Sequence, residues 1–247
     1  MKKLIAMISL GISVTLAACG GGAATVAPEA TSAATQLEVS APTDAPSEPE
    51  TDTDAPVATE APAEPAGITP NFVIVAEESE ARFYIDEVLL GNDKRVEGIS
   101  NAIAGEMVID FANPQSSVVG PITVDAASFS TDSGNRNRAI REFIFQAGRP
   151  GNGVITFTPV AIDGLPSSVT LGTPFEVSIT GDLTIKGTTL PATFTGTITP
   201  VEENRVEGFL STTVVWADFG LTIPSVPSVT FVDDTVLLEF EFVAARQ

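Results

Sequence analysis

The residue types that usually carry out chemistry are scarce in this sequence. The chain contains no histidine and one cysteine, Cys19. These counts exclude a Ser-His-Asp triad, a histidine-ligated zinc ion, an intrachain disulfide and a cysteine-rich metal site. Thr184 and Lys186 could form a hydroxyl–lysine pair, but residues two apart on a strand share one face, where such pairs are typically solvated. No pair of acidic residues stands out on the inward register, so we predict no catalytic residue, no metal site and no enzyme activity.

The other charged side chains favour surface contacts and turns. Four arginines lie within 14 positions of one another, namely Arg136, Arg138, Arg141 and Arg149. They suit either an anionic head group or phospholipid surface, or local ion pairs on an acidic protein. Asp218, Asp233 and Asp234 are typical of turns, because a short carboxylate accepts hydrogen bonds from its own backbone.

The composition predicts a β protein that does not bind nucleic acid. The 247 residues include 12 Lys and Arg against 32 Asp and Glu, which gives a net charge of −20. Such a charge repels phosphate backbones, so no nucleic-acid partner is expected. Only 18% of the residues are charged, while Val, Thr, Ile and Phe, which are favoured in strands, are plentiful.

Residues 1–18 are predicted to be an export signal. Lys2 and Lys3 precede an uncharged stretch, Leu4 to Leu16, which is too short to span about 30 Å of hydrocarbon as a helix. Residues 16–20, Leu-Ala-Ala-Cys-Gly, resemble the bacterial lipobox. The resemblance implies cleavage before Cys19 and lipidation of Cys19, so we expect an exported lipoprotein anchored to a membrane of the cell envelope. The alternative is an ordinary secretory signal with an unrelated cysteine.

Residues 19–70 are predicted to be the lipidated cysteine followed by a disordered tether. Residues 20–70 contain eight prolines, nine acidic residues and no lysine or arginine. A segment so poor in apolar side chains cannot offset its ordering entropy. Because prolines and like charges extend a chain, we expect this segment to hold the next domain away from the membrane.

Residues 71–247 are predicted to form one β domain. Apolar and polar residues alternate with a period of two in about eight segments separated by turn signals. We expect an antiparallel sheet, since no repeated helical crossover is visible. The alternation alone fits either a closed barrel or a two-sheet sandwich. Four glycines on the inward register leave room or mark bends: Gly105, Gly181, Gly196 and Gly208.

One segment of this domain has a helical period instead. Four apolar residues fall on one helical face: Ala139, Ile140, Phe143 and Ile144. Asp132 or Ser133 is suited to cap the N-terminus. We expect a short helix over residues 135–145, laid across one end of the sheet.

Several short motifs occur in the order in which they are found in the YceI-like family. Residues 181–187, Gly-Asp-Leu-Thr-Ile-Lys-Gly, resemble the G-x-L-T-I-x-G hallmark of that family. Weaker family motifs resemble residues 128–136, 155–157, 218–220 and 233–242. The resemblance covers residues 78–245. It is therefore carried by nearly the whole predicted β domain.

The resemblance implies an all-β protein whose fold is an antiparallel, lipocalin-like β-barrel, here with about eight strands and the one short helix. It also implies an apolar lumen associated with polyisoprenoid or quinone-type chains. The sequence departs from the family pattern at Asn137, Lys186 and Trp216. We therefore expect the head-group end of the lumen to differ from that of other members.

Fourteen residues on the inward register are predicted to line a lumen that binds an isoprenoid-like or quinone-type lipid, with no other cofactor. They are Phe83, Ile85, Ile109, Phe157, Phe175, Val177, Ile179, Leu183, Phe194, Leu210, Val214, Trp216, Leu238 and Phe240. The alternative is a barrel with a filled core that mediates protein interaction at the cell envelope. A continuous apolar void of about 300 Å³ or more favours lipid binding.

Overall fold

Alternating burial along the strands shows why this part of the chain folds as a sheet. The computed structural model describes residues 71–247. In the strand Phe175–Ile185, every second residue from Val177 to Ile185 is buried, and the residues between them are more exposed. Side chains on a strand point to alternate faces, so this pattern places one apolar face inside the molecule.

The structure contains eleven strand segments and one short α-helix. The segments are β1 Phe72–Ile74, β2 Glu80–Leu89, β3 Asn92–Ser100, β4 Ile103–Val108, β5 Val118–Asp125, β6 Val154–Asp163, β7 Phe175–Ile185, β8 Thr188–Glu202, β9 Arg205–Val215, β10 Val229–Val232 and β11 Thr235–Arg246. The helix α1 spans Gly134–Ala139 and continues into a π-helical turn, Ile140–Ile144. Short 3₁₀ turns occupy Ala76–Glu78, Pro114–Ser116 and Trp216–Phe219.

The eleven segments make eight barrel strands, because three strands are each interrupted once. Segments β1 and β2 both pair with β11 on one side, and with β4 and β3 on the other. Segments β10 and β11 both pair with β2. From β4 the order continues through β5, β6, β7, β8 and β9 to β11, and all pairs are antiparallel. The predicted antiparallel lipocalin-like barrel of about eight strands with one short helix is confirmed.

The barrel closes where the first and last segments of the domain meet. Phe72 lies opposite both Arg246 of β11 and Met107 of β4. The turn Ala76–Glu78 then interrupts the pairing with β11. The fully buried Ser79 bridges this gap, since its hydroxyl donates to the carbonyl of Val75 at 2.8 Å and accepts from the amide of Val243 at 3.0 Å.

The inward glycines mark close approaches of the chain rather than free space. A Cβ atom at Gly196 would overlap the carbonyl oxygen of Phe209 and lie 3.0 Å from the Cα of Leu210. At Gly98, which the sequence prediction did not include, a Cβ would overlap the ring of Phe83. The expectation that such glycines leave room is therefore corrected, since neighbouring atoms occupy the space.

The helical segment forms as predicted but turns a different residue inward. The hydroxyl of Ser133 accepts a hydrogen bond from the amide of Arg136 at 3.4 Å and caps the helix. The amide of Phe145 donates to the carbonyl of Ile140, five residues back, which widens the last turn. A π turn advances the inward position along the chain. As a result Phe143 is 51% exposed and Phe145 is buried, so the prediction that Phe143 faces the sheet is wrong.

No helix between residues 71 and 247 is long and apolar enough to cross a membrane. In the same range, no group of three or more Cys, Asp or Glu residues is placed so as to hold a metal ion.

Candidate ligand-binding cavity

The barrel encloses a cavity of about 660 Å³ whose wall is mainly apolar. This volume lies within the range of about 300–1,000 Å³ that is typical of ligand sites. The interior is therefore hollow, which disfavours a filled barrel. Eleven of the fourteen residues predicted to line the lumen contribute to its wall: Phe83, Ile85, Phe157, Ile179, Leu183, Phe194, Leu210, Val214, Trp216, Leu238 and Phe240.

The other three predicted residues lie in a second, smaller cavity. Ile109, Phe175 and Val177 line a space of about 80 Å³. Five residues line both spaces and form the partition between them: Val119, Ile122, Ile179, Leu210 and Phe240. An inward position on a strand therefore does not decide which cavity a residue reaches. Its level along the barrel decides that.

Among the lining residues that the sequence prediction missed are two groups that lie outside the strands. The first group covers the cavity from the helical segment and includes Ile140, Ile144 and Phe145. The second group lies in the long connection between β9 and β10, with Leu221, Ile223, Pro224 and Val226 among its members. That connection has no regular period. Its apolar composition was the only available signal of a role in the cavity wall.

The polar part of the cavity wall includes Arg82 and Glu239 as well as an ion pair between α1 and β2. Arg136 of α1 donates from Nη2 to Oε1 of Glu87 on β2 at 2.8 Å, and its other terminal nitrogen contacts Asp132. Glu87 is only 9% exposed. Lys94, opposite Glu87 on β3, also contacts Asp132, and that hydrogen bond is the main reason that the pKa of Asp132 is lowered. Two cations and two carboxylates thus neutralise one another beside an apolar space.

The remaining arginines of the predicted cluster lie away from the cavity wall. Arg138 and Arg141 are close to the carboxylate of Glu142, at 3.4 and 3.8 Å. Arg149 is exposed. Of the four, only Arg136 lines the large cavity. Local ion pairing therefore accounts for Arg136, Arg138 and Arg141, and of these only Arg136 also reaches the wall of the large cavity.

Trp216 is held in a fixed position in the cavity wall. It begins the 3₁₀ turn that follows β9, and its indole nitrogen donates to the carbonyl of Asp233 at 2.8 Å. The carboxylate of Asp233 accepts from the amide of Thr235 at 2.8 Å, and this bond is the main cause of its lowered pKa. The prediction of Asp233 as a turn residue that bonds its own backbone is confirmed.

The hydroxyl–lysine pair considered in the sequence does not form. Lys186 lies beyond β7 in a two-residue hairpin turn with Gly187, where both φ angles are positive, at 51° and 76°. Its ammonium group donates to the carbonyl of Gly220 at 3.1 Å, while the Thr184 hydroxyl bonds that of Thr189 at 2.8 Å. The expectation that Thr184 and Lys186 share a strand face is corrected, because the strand ends at Ile185.

A closed antiparallel barrel of eight strands with a hollow apolar interior defines a lipocalin-like protein. The model of the YceI-like domain matches residues 72–244 of this chain. The chain therefore belongs to the YceI-like family, as the motif order predicted.

Two solved structures share the fold at low sequence identity. BcnA of Burkholderia cenocepacia is 19% identical with a TM-score of 0.55, over 69% of this chain and 98% of that one. A polyisoprenoid binding domain from Saccharophagus degradans, implicated in plant cell wall breakdown, is 15% identical with a TM-score of 0.56, over 72% of this chain and 99% of that one. A comparison with curated proteins found no match.

Proposed function

We propose that this protein is an exported, membrane-anchored lipoprotein that binds an apolar, isoprenoid-like lipid inside the barrel. It sequesters or carries the lipid, and no bond is made or broken. The observation that carries the proposal is the apolar cavity of about 660 Å³ inside a barrel of the YceI-like family. The similar Saccharophagus degradans domain is described as polyisoprenoid binding, which supports the same ligand class.

Removal of apolar surface from water supplies the free energy of binding. Burial is worth about 25 cal/mol per Å², so several hundred Å² of prenyl chain contribute on the order of 10 kcal/mol before costs. Loss of rigid-body freedom and ordering of the chain oppose this by at least about 4 kcal/mol. The net gain is then at most about 6 kcal/mol, which corresponds to a dissociation constant of some tens of micromolar.

The charges of the wall favour a neutral polar head on the lipid. Glu87 and Arg136 already pair at 2.8 Å, and Asp132 and Lys94 complete a neutral set. A diphosphate would bring two or more negative charges beside Glu87 without an unpaired cation to receive them, which costs free energy in a partly desolvated site. A quinone ring or an alcohol can instead accept a hydrogen bond there at no such cost.

The N-terminal sequence, which lies outside the described residues, supports the proposed location of the protein. The signal at residues 1–18, the lipidation of Cys19 and the tether at residues 20–70 together support export and anchoring to a membrane of the cell envelope. In this proposal the membrane and the apolar lipid are the partners, and nucleic acid is not one.

Loading experiments on the full chain test the proposed function. The purified protein is first extracted with organic solvent and then reloaded with a prenylquinone or a polyprenol. Native mass spectrometry of the reloaded protein is expected to show one bound lipid per barrel. Phe194→Asp should abolish loading, because it puts a charge into the apolar wall. It also removes the ring of Phe194, whose centre lies 4.8 Å from that of Phe157. Because Phe194 is buried, the half-buried Ile85 gives a second variant, Ile85→Asp, with a smaller folding cost.

The matched control is Val160→Asp, on β6 at a position that is 73% exposed. It adds the same charge outside the barrel and should load like the unmodified protein. Circular dichroism checks that every variant keeps its strands. Failure of the unmodified protein to take up any prenylquinone or polyprenol would remove the proposal.

A further inference from the structure

The hairpin between β2 and β3 carries a leucine where the backbone favours another residue. Leu89 pairs with Asn92, so Leu90 and Gly91 form a two-residue turn. Both φ angles are positive, at 51° and 80°. Turns of this type favour asparagine or glycine at the first position, because a leucine side chain is strained in the left-handed region. Leu90 is also 76% exposed, so packing within the barrel does not compensate for the strain.

Two further exposed apolar residues lie on the segment that pairs with this end of β2. The amide of Leu90 donates to the carbonyl of Ser228 at 2.7 Å, and Phe231 lies opposite Val88 in the pairing of β10 with β2. Val226 is joined to this group by the hydrogen bond from the amide of Val229 to its carbonyl at 3.0 Å. Phe231 is 56% and Val226 is 43% exposed. We call Leu90, Val226 and Phe231 the apolar rim.

The apolar rim adjoins the large cavity. Leu89, Val226, Ser228 and Val229 all line that cavity, and each is either in the rim or bonded to it. Val226 is therefore both exposed and part of the cavity wall, so the apolar rim begins at the edge of the cavity. A lipid that leaves the cavity here meets the rim first.

We propose that the apolar rim inserts into the surface of a lipid bilayer, so that lipid passes between the membrane and the cavity without crossing water. This inference rests on the proposed function. Three side chains bury far less area than the roughly 1,200 Å² of a stable protein interface. A bilayer needs no matching pocket, so it accepts a leucine that protrudes from a turn. The strain at Leu90 is then explained by its contact with acyl chains.

The charges near the rim indicate that insertion is driven by apolar area. Lys94 pairs with Asp132, and Arg95 lies 4.0 Å from Asp86. Few free cations are therefore present on this hairpin to attract anionic lipid. Binding to neutral phosphatidylcholine vesicles should persist between ionic strengths of about 0.1 M and 1 M, where surface attraction is screened.

Leu90→Asn separates the two roles that Leu90 could have. Asparagine suits the turn, so the midpoint of urea unfolding should stay the same or rise. The matched control is Leu171→Asn. Leu171 is also exposed, at 48%, and it also precedes a glycine of positive φ, Gly172. Its loop is bonded to Pro200, which lines the small cavity and not the large one.

The test uses the chain from residue 19 onward with Cys19→Ser, so that neither a lipid anchor nor the apolar signal at residues 1–18 contributes to vesicle binding. Phosphatidylcholine vesicles carry a long-chain prenylquinone, and uptake is followed by quenching of Trp216, the only tryptophan and part of the cavity wall. Leu90→Asn should reduce flotation with vesicles and slow both uptake and return of the quinone by about tenfold, since burial of a leucine is worth at least that factor. Leu171→Asn should change neither. Both variants should load equally from detergent, because the rim does not alter the filled state.

Unchanged flotation and unchanged transfer rates in Leu90→Asn would overturn the inference. So would loss of flotation at high salt, which would indicate electrostatic attachment. If the unmodified protein fails to load from detergent, the proposed function fails, and flotation of the empty protein still decides whether the rim binds a bilayer.

Discussion

Gly196 and Gly98 are two of the glycines that face close neighbours, and alanine at these positions should affect stability and binding differently. Gly196 lies on β8 between Val177 of β7 and Leu210 of β9. A Cβ at this position would overlap the carbonyl oxygen of Phe209 and lie 2.9 Å from its carbonyl carbon. These are backbone atoms of a strand that is paired on both sides. Gly196→Ala therefore cannot be accommodated by rotation of a side chain.

The cost of Gly196→Ala follows from the shift that it forces. Overpacking in a tight site costs about 1–3 kcal/mol. Strand separation sufficient to clear the oxygen also weakens about two backbone hydrogen bonds, each worth about 1 kcal/mol net. The sum is about 3–5 kcal/mol. Such a loss is a large part of the free energy of unfolding of a typical domain, which is about 5–15 kcal/mol.

Gly98→Ala should have a smaller effect on stability and a larger effect on binding. The overlapping atoms belong to the ring of Phe83, which lines the large cavity. The ring can turn into that empty space, so we expect a loss of only about 1–2 kcal/mol. The turned ring then occupies volume that the lipid needs, and the affinity for a prenylquinone should fall.

Urea unfolding followed by the fluorescence of Trp216 measures both variants. With a slope of about 2 kcal/mol per molar urea, Gly196→Ala should lower the midpoint by about 2 M and Gly98→Ala by less than about 1 M. Quinone titration of the folded variants should show weakened binding for Gly98→Ala alone. If Gly196→Ala unfolds at the same urea concentration as Gly98→Ala, the backbone contact at Phe209 is not as close as described.

Two further predictions concern ionisation and ligand length. Desolvation, together with the hydrogen bond from the Tyr84 hydroxyl to Glu97 at 2.8 Å, raises the pKa of Tyr84 to about 12. Absorbance at 295 nm reports the ionisation of this single tyrosine directly. Glu97→Gln should bring its pKa toward the ordinary value of about 10. Because the pKa of Tyr84 is higher in the folded protein than in the unfolded chain, the neutral phenol stabilises the fold fully below pH 10, and this contribution is lost as the pH rises through 12. A wild-type pKa near 10 would refute the contact with Glu97. Leu210→Ala removes a partition side chain that is 3% exposed, so it should cost about 3 kcal/mol and join the two cavities. Competition between short and long prenylquinones should then shift toward the longer chain, and an unaltered preference would contradict the role of Leu210 as a partition.

The parts of this fold that the sequence predicts are those that depend on local periodicity. Alternation along a strand such as Phe175–Ile185 depends only on neighbours in sequence, so the strands and their inward faces follow from it. The family motifs, not the alternation, favoured a barrel over a sandwich. The height of each residue in the barrel depends on register across strands, which the sequence does not display. For this reason Phe175 and Ile109 were expected in the lipid-binding lumen but lie in the small cavity.

The other differences arise where structure departs from a single period. Because of the π turn after α1, Phe145 is buried and Phe143, which the helical period placed on the buried face, is exposed. The connection after β9 lines the cavity with no period at all. The ion pair between Glu87 and Arg136 joins residues 49 positions apart, and nothing local to either residue marks the other as its partner.

The seam between the first and last segments also bears on how the molecule folds. Phe72 pairs with Arg246, so the contacts that complete the ring have nearly the largest sequence separation the domain allows. Folding rates fall as such long-range contacts increase. A chain that emerges from a ribosome or a translocation channel with its N-terminus first leaves β1, β2 and β9 without their β11 partner until the last segment arrives. The interior therefore stays open to water and to chaperones until β11 is available, and truncation before β11 should leave an incomplete, aggregation-prone sheet.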